Sequence, residues 1–81
     1  MLLHACERGR PYVVKSIAAR NAALLSDIGL FAGRCFTVVN RFPFRGPLVV
    51  DLGGYLVAIA RSAAAGVEVA PEEDRVHVPT Q

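Results

Sequence analysis

Short apolar runs and turn residues alternate along the chain, and their spacing predicts mostly strands. Five runs rich in β-branched and aromatic residues are bounded by glycine, proline or polar residues, which is typical of strands in a small sheet. They are residues 11–18 (PYVVKSIA), 35–42 (CFTVVNRF), 48–52 (LVVDL), 55–60 (YLVAIA) and a short run around Val67 and Val69. In the second run Phe36 and Val38 fall on one face and Arg41 on the other, so alternation predicts one buried side.

One stretch, NAALLSDIGLFAG at residues 21–33, has the spacing of a short helix instead. Asn21 is a suitable N-cap, because its side-chain oxygen can accept a hydrogen bond from the first turn. The apolar stripe that this helix turns toward the core consists of Leu24, Leu25 and Ile28. Gly29 can close the helix in the left-handed conformation, and Gly33 can make the turn that follows. A second helix of one turn is expected between a Ser62 cap and Gly66.

Five strands, tight turns and one inserted helix predict a small, mainly β barrel that leaves few free strand edges. At 81 residues the chain has room for one domain, which buries about 60% of its extended surface. We place this domain at residues 1–70 and expect residues 71–81, PEEDRVHVPTQ, to form a poorly ordered acidic tail. The residues predicted to share the core are Leu24, Ile28, Phe36, Val38, Val50, Val57, Ile59 and Val67.

Composition and charge narrow the class of protein further. No apolar run approaches the roughly 20 residues of a transmembrane helix, and the start lacks a signal-peptide segment, so we expect a cytoplasmic protein. Cys6 and Cys35 are too few for a disulfide framework and are expected to be reduced thiols. Between positions 8 and 61 the sequence has eight basic residues and only two acidic ones, Asp27 and Asp51. Acidic residues follow from position 68. Since no nucleic-acid motif accompanies this charge, we interpret the arginines as solubilising residues and do not expect a nucleic-acid partner.

The chain resembles the FeoA family of ferrous iron transport accessory proteins in an ordered set of residues between about Leu3 and Val69. This set is Leu25-x-Asp27-Ile28-Gly29-Leu30-x-x-Gly33, then Gly46-Pro47, Gly54 and Val57-Ala58-Ile59. Two positions depart from the family pattern: Ala32 stands where proline is frequent, and Ala60 where arginine is frequent. Neither change affects the expected fold.

The resemblance implies a small cytoplasmic protein with an SH3-like barrel, the fold that also forms the last domain of some iron- and manganese-dependent repressors. It implies a non-enzymatic role in ferrous iron uptake, through docking on the cytoplasmic side of the membrane ferrous iron transporter. No small-molecule substrate is implied. The alternative is a metal- or nucleic-acid-responsive SH3-like module, which needs a defined metal site or a basic groove. The sequence leaves open whether the protein forms a homodimer, because an edge strand or an apolar tip could pair two copies.

The local candidate for a contact surface is the segment Arg41-Phe42-Pro43-Phe44-Arg45, at the tip of the first hairpin. Arginine and aromatic residues are favoured at the centres of interfaces. Phe42 keeps the parity of the buried face, so we expect it to pack inward, whereas Phe44 lies beside the turn and is expected to be exposed. Tyr55 is a second aromatic candidate that could equally pack inward. The hypothesised partner-binding residues are Arg41, Phe44, Arg45 and Tyr55.

Catalysis and metal binding have little support among the polar residues. No nucleophile, base and orienting group can be assembled, so we expect neither an enzyme nor a cofactor. His4 and Cys6 would point the same way on an extended segment, and imidazole with thiolate or carboxylate could bind zinc. Because Cys6 matches an apolar position of the family, a buried thiol is the favoured interpretation. We expect no specific metal site; the weak surface candidates are His4, Glu72, Glu73 and His77.

Overall fold

A computed structural model describes residues 1–72 of the chain, and five of its segments form one antiparallel sheet. The strands are β1 (Pro11–Ile17), β2 (Cys35–Arg41), β3 (Leu48–Asp51), β4 (Leu56–Ile59) and β5 (Val67–Pro71). Their order is β4-β3-β2-β1-β5, with every neighbouring pair antiparallel. The mainly β class is confirmed. In the part of the chain that the structure describes, β4 and β5 remain the two edges, so hydrogen bonds do not close the sheet into a full barrel.

Two register shifts curve this sheet. One lies between Val14 and Ser16 where β1 meets β5, and the other between Val38 and Asn40 where β2 meets β3. An extra residue in one strand bends it and increases its twist. The second shift also reverses which side chains of β2 point toward the core beyond Val38. It therefore changes the orientation of the residues near the hairpin turn.

Three short helical segments lie outside the strands, and two of them connect strands. They are an N-terminal 3-10 turn (Leu3–Ala5), α1 (Ala19–Asp27) between β1 and β2, and α2 (Arg61–Ala64) between β4 and β5. Both predicted caps are wrong: the N-caps are Ala18 and Ala60, and neither has a side-chain cap hydrogen bond. Asn21 lies inside α1, because alanine, the strongest helix former, extends this helix upstream to Ala19. Ser62 lies inside α2, which begins one residue earlier, at Arg61.

The end of α1 closes as predicted at Gly29, whose φ is +96°. The Leu30 N–H donates to the Leu25 carbonyl at 2.9 Å, and the Gly29 N–H donates to the Ser26 carbonyl at 3.0 Å. These two bonds make a Schellman motif, in which a left-handed residue satisfies the last free carbonyls of the helix. Leu25 and Leu30, on either side of the glycine, are both buried, so the motif directs two leucines into the core.

One cluster of buried side chains lies between the concave face of the sheet, α1 and the N-terminal turn. Its members are Leu3, Cys6, Tyr12, Val14, Leu25, Leu30, Phe36, Val38, Leu48, Val50, Leu52, Ile59, Ala64, Val67 and Val69. Seven of the eight predicted core residues lie in this cluster or, in the case of Ile28 and Val57, pack partly buried against it. The prediction is wrong for Leu24, whose side chain is 64% exposed. On a helix, adjacent residues point about 100° apart, so Leu24 and Leu25 do not share the buried face.

Tyr12 is the largest fully buried side chain and was not among the predicted core residues. Its ring stacks on Phe36 with the centroids 5.9 Å apart. Its hydroxyl accepts a hydrogen bond from the Glu7 N–H at 2.9 Å, so the buried polar atom is satisfied. The tyrosine thereby joins the segment after the N-terminal turn to the centre of the sheet.

The N-terminus lies alongside β5. The Val69 N–H donates to the Met1 carbonyl at 2.7 Å, and the terminal ammonium pairs with Glu68 at 2.8 Å. Strand β5 continues to Pro71, the first residue of the expected tail, and residues 73–81 lie outside those described. Neither helix of residues 1–72 has the length and apolar character needed to cross a bilayer.

Replacing Leu25 with alanine tests how α1 is docked, and Leu24→Ala is its matched control on the same helix. We expect Leu25→Ala to lower the free energy of unfolding by about 2–5 kcal/mol, because a buried leucine leaves a cavity. Leu24→Ala should change it by no more than about 0.5 kcal/mol, as exposed substitutions do. Urea denaturation of both variants measures the difference, and equal values would contradict the placement of α1.

Candidate partner-binding surface

A tight turn, residues 42–47, joins β2 to β3 and carries two of the four predicted contact residues, Phe44 and Arg45. The Phe42 N–H donates to the Pro47 carbonyl at 3.2 Å, and the Gly46 N–H donates to the Pro43 carbonyl at 3.1 Å. Phe44 at its apex is 97% exposed, which is the exposure predicted for it. We call residues 41–45 the hairpin tip. It presents one fully solvated aromatic ring on a hydrogen-bonded turn.

The backbone conformation of this turn restricts which residues can occupy it. Phe44 and Arg45 have φ values of 57° and 63°, in the left-handed region that non-glycine residues rarely occupy. A Cβ added at Gly46 would lie 2.8 Å from the Phe42 Cβ, closer than real side-chain atoms approach. The left-handed pair reverses the chain within two residues, and Gly46 allows the turn to close against Phe42. Phe44 is therefore directed outward by the backbone and does not depend on side-chain packing.

Phe42 differs from its prediction, since 44% of its surface is exposed. The expected inward orientation assumed that alternation continues from Phe36 and Val38. The register shift after Val38 inserts one residue and reverses the parity, because side chains alternate with a period of two. Strand β2 also ends at Arg41, so Phe42 belongs to the turn.

Arg41 is used inside the protein. Its guanidinium donates to the His4 carbonyl at 2.8 Å and to the Cys6 carbonyl at 3.0 Å. These bonds attach the N-terminal turn to the end of β2 and hold the last residue of the strand beside it. Arg41 therefore supports the hairpin tip, while Phe44 and Arg45 remain as its projecting side chains.

Tyr55 lies at the other end of β3 from the hairpin tip. Leu48, at one end of β3, pairs with Arg41, whereas Asp51, at the other end, pairs with Thr37 and Leu56. The four predicted contact residues thus divide between two ends of the sheet: three at the hairpin tip and Tyr55 beside the β3–β4 turn.

The structure places further exposed apolar residues at the Tyr55 end. Arg34 lies over the Phe31 ring, 5.6 Å from its centroid, and its guanidinium donates to the Leu52 carbonyl. The Leu52 N–H in turn donates to the Tyr55 carbonyl at 3.0 Å. Phe31, Tyr55 and the adjacent Leu56 are all exposed. Sequence reasoning missed Phe31 and Leu56, because a loop residue between glycines and the first residue of a strand carry no periodicity signal.

Asp51 shapes the turn that presents Tyr55. Its carboxylate accepts hydrogen bonds from the Gly53 N–H at 2.9 Å and the Gly54 N–H at 3.1 Å. These backbone donors lower the pKa of the Asp51 carboxyl, because they stabilise its charged form. The Asp51 carboxylate therefore stabilises the β3–β4 turn that follows it.

Among residues 1–72, the side chains considered for metal binding are not grouped as a metal site. Cys6 is fully buried, and burial raises the pKa of its thiol to about 11, although the N-terminal ammonium and Arg41 act in the opposite direction. The extended geometry expected for His4 and Cys6 is wrong, since His4 lies in the 3-10 turn. Within residues 1–72 no three His, Cys, Asp or Glu side chains are grouped as a metal site. Glu72 is the last described residue, and Glu73 and His77 lie outside the described part.

Comparison with known proteins identifies one family. The family model described as the FeoA domain matches residues 1–71. The solution structure of the FeoA protein from Chlorobium tepidum is 28% identical, with a TM-score of 0.79 over 95% of this chain and 76% of that one. A crystal structure named iron uptake regulatory protein (FeoA) is 27% identical, with a TM-score of 0.77 over 86% of this chain and 93% of that one. A search of curated protein sequences gave no significant match.

The same fold occurs within a longer regulator. A manganese-dependent transcriptional repressor aligns with a TM-score of 0.78 and 24% identity, over 88% of this chain and 41% of the repressor. The chain therefore corresponds to about two-fifths of that protein, and a likeness at this identity shows the fold alone.

Gly29→Ala tests the contact between the end of α1 and Tyr55. A Cβ at Gly29 would overlap the Tyr55 hydroxyl, and the left-handed backbone alone costs about 1–2 kcal/mol in a residue other than glycine. We expect Gly29→Ala to destabilise the fold by at least that amount and to move the Tyr55 ring signals in the NMR spectrum. In a Tyr55→Phe background the loss should be smaller, because the overlapping oxygen is gone. Equal losses in both backgrounds, with unmoved ring signals, would contradict the contact.

Alkylation tests the burial of Cys6 in a Cys35→Ser background, where it is the only thiol. With a pKa of about 11, roughly one thiol in a thousand is ionised at about pH 8, and the thiolate is the reactive form. We expect iodoacetamide to leave the native protein unmodified and to label it rapidly in urea, as measured by mass spectrometry. Native labelling at the rate of free cysteine would show that the thiol is accessible.

Proposed function

The chain belongs to the FeoA family, and from this premise we propose that it is a cytoplasmic, non-enzymatic accessory protein of ferrous iron uptake. It acts by binding the membrane ferrous iron transporter on its cytoplasmic side. Two relatives of 27–28% identity support the biological setting, one named as a FeoA protein and one as an iron uptake regulatory protein.

The exposure of Phe44 is the observation that supports a partner contact at the hairpin tip. A side chain that is 97% exposed and strongly apolar gains most from a partner that covers it. The turn already fixes the backbone around Phe44, so binding has little backbone entropy left to lose there. Arg45 beside it adds a charged group able to pair with a carboxylate or stack on an aromatic ring. A partner surface with an apolar pocket flanked by acidic or aromatic residues fits this pair.

The alternative function, a metal- or nucleic-acid-responsive module, is not proposed. Its support is a likeness to a repressor that extends to the fold only. Within residues 1–72 no metal-ligand group is assembled, and Arg34 and Arg41 already donate to backbone carbonyls. These two guanidinium groups therefore have fewer N–H donors left for the phosphate backbone of a nucleic acid.

The proposal is tested by measuring binding to the same organism's ferrous iron transporter. Full-length transporter in detergent and its isolated cytoplasmic GTP-binding region are immobilised, with and without nucleotide and a chelator. We expect the wild-type protein to bind, and Phe44→Ala to weaken binding by at least about tenfold, the size of a central interface residue. Circular dichroism checks that the variant is folded.

Two further variants locate the contact. Leu24→Ala removes another exposed apolar side chain, on α1 and outside the hairpin tip, and should bind like wild type. Tyr55→Ala removes the aromatic residue at the opposite end of β3. If Tyr55→Ala loses binding while Phe44→Ala keeps it, the contact lies at the Tyr55 end and the hairpin-tip assignment is wrong. If wild-type protein binds neither transporter form under any condition, the proposed function itself is wrong.

A further inference from the structure

A cleft opens between three elements on the hairpin-tip side of the molecule. The N-terminal turn contributes His4, the hairpin contributes Arg45, and α2 contributes Arg61, Ser62 and Ala65. Its volume is about 390 Å³. The cleft therefore gathers two guanidinium groups and an imidazole from parts of the chain that are distant in sequence.

The cationic groups of this cleft lack the partners that other arginines have. Arg34 and Arg41 donate to backbone carbonyls. In contrast, the side chains of Arg45 and Arg61 form no ion pair or hydrogen bond with any residue of the described range 1–72. The Nε atom of Arg61 and the Nδ1 atom of His4 are buried and have no hydrogen-bond partner. A buried donor without an acceptor is unfavourable, so the Arg61 guanidinium carries unused capacity to bind an anion.

We propose that this cleft binds the phosphate group of a small molecule. Guanidinium groups match the oxygen geometry of both phosphate and carboxylate, so the choice between them depends on charge. A phosphate monoester carries about −1.5 to −2 charges at neutral pH, which balances two arginines, whereas one carboxylate balances only one. The imidazole of His4 and the hydroxyl of Ser62 supply further hydrogen bonds to the remaining oxygens.

The cleft has room for an organic group attached to the phosphate. At about 30 Å³ per heavy atom, the share of a water molecule in the liquid, the five atoms of a phosphate fill no more than about 150 Å³. The volume of about 390 Å³ leaves more than half for an attached group against Ala65 and Ser62. The hydrogen bonds from Arg41 to the His4 and Cys6 carbonyls hold the N-terminal wall of the cleft in place before any ligand arrives.

This inference goes beyond the proposed accessory function and is tested on the isolated protein. Amide signals of ¹⁵N-labelled protein are followed during titration with sodium phosphate, adenosine 5′-monophosphate and sodium acetate, with sodium chloride at matched ionic strength as the reference. We expect saturable shifts near the N-terminal turn, Arg45 and α2 with both phosphates, and tighter binding of the nucleotide. Nucleotide and phosphate of equal affinity would indicate that free phosphate is the ligand.

Substitutions separate a built site from general charge attraction. Arg61→Gln and Arg45→Gln should each weaken phosphate binding by about tenfold, the usual effect of losing a charge-assisted hydrogen bond. Arg20→Gln, on α1 outside the cleft, removes the same charge and should leave affinity unchanged. Shifts that do not saturate, that equal those with chloride, or that fall equally in all three variants would overturn the proposal, and so would binding of acetate as tight as that of phosphate.

Discussion

The left-handed end of α1 is the constraint on which the rest of the structure depends. Leu25 and Leu30 enter the same core only because Gly29 reverses the chain between them. The loop that follows is bonded to β1, since the Gly33 N–H donates to the Val14 carbonyl and the Val14 N–H donates to the Arg34 carbonyl. Gly29 also leaves the space that the Tyr55 hydroxyl occupies. One glycine thus joins the helix, strand β1 and the β3–β4 turn, which explains how so few residues hold a helix on a curved sheet.

The opposite end of the sheet is held by polar contacts. Arg41 binds the carbonyls of His4 and Cys6, 37 and 35 residues away, and so fixes the N-terminal turn against the base of the hairpin. This support is placed behind Phe44 and Arg45, whose backbone is already confined by the left-handed turn. The hairpin tip therefore projects an exposed aromatic ring from a hydrogen-bonded turn, and the backbone conformation set by that turn lowers the entropy lost when a partner covers it.

Much of the fold follows from the sequence, because alternation and glycine placement act locally. The strands, the burial of Phe36 and Val38, and the closure of α1 at Gly29 were all predictable from nearby residues. Phe44 was also predictable as exposed, since it lies beyond the strand. The orientation of Phe42 was not, because the register shift after Val38 arises from pairing with β3. The two bonds of Arg41 and the cleft beside Arg45 join segments far apart in the chain, and no local pattern encodes them.

Arg45 belongs to both proposed sites, and this shared position couples them. Its backbone φ is 63°, and its exposed side chain lines the cleft beside Arg61 while it directly follows Phe44 in the hairpin tip. A phosphate that holds the guanidinium in the cleft changes the charge that the tip presents. Because linkage is reciprocal, any change that the phosphate makes in partner affinity equals the change that the partner makes in phosphate affinity. The two proposals together therefore predict that phosphate binding changes the affinity for the partner through the Arg45 side chain.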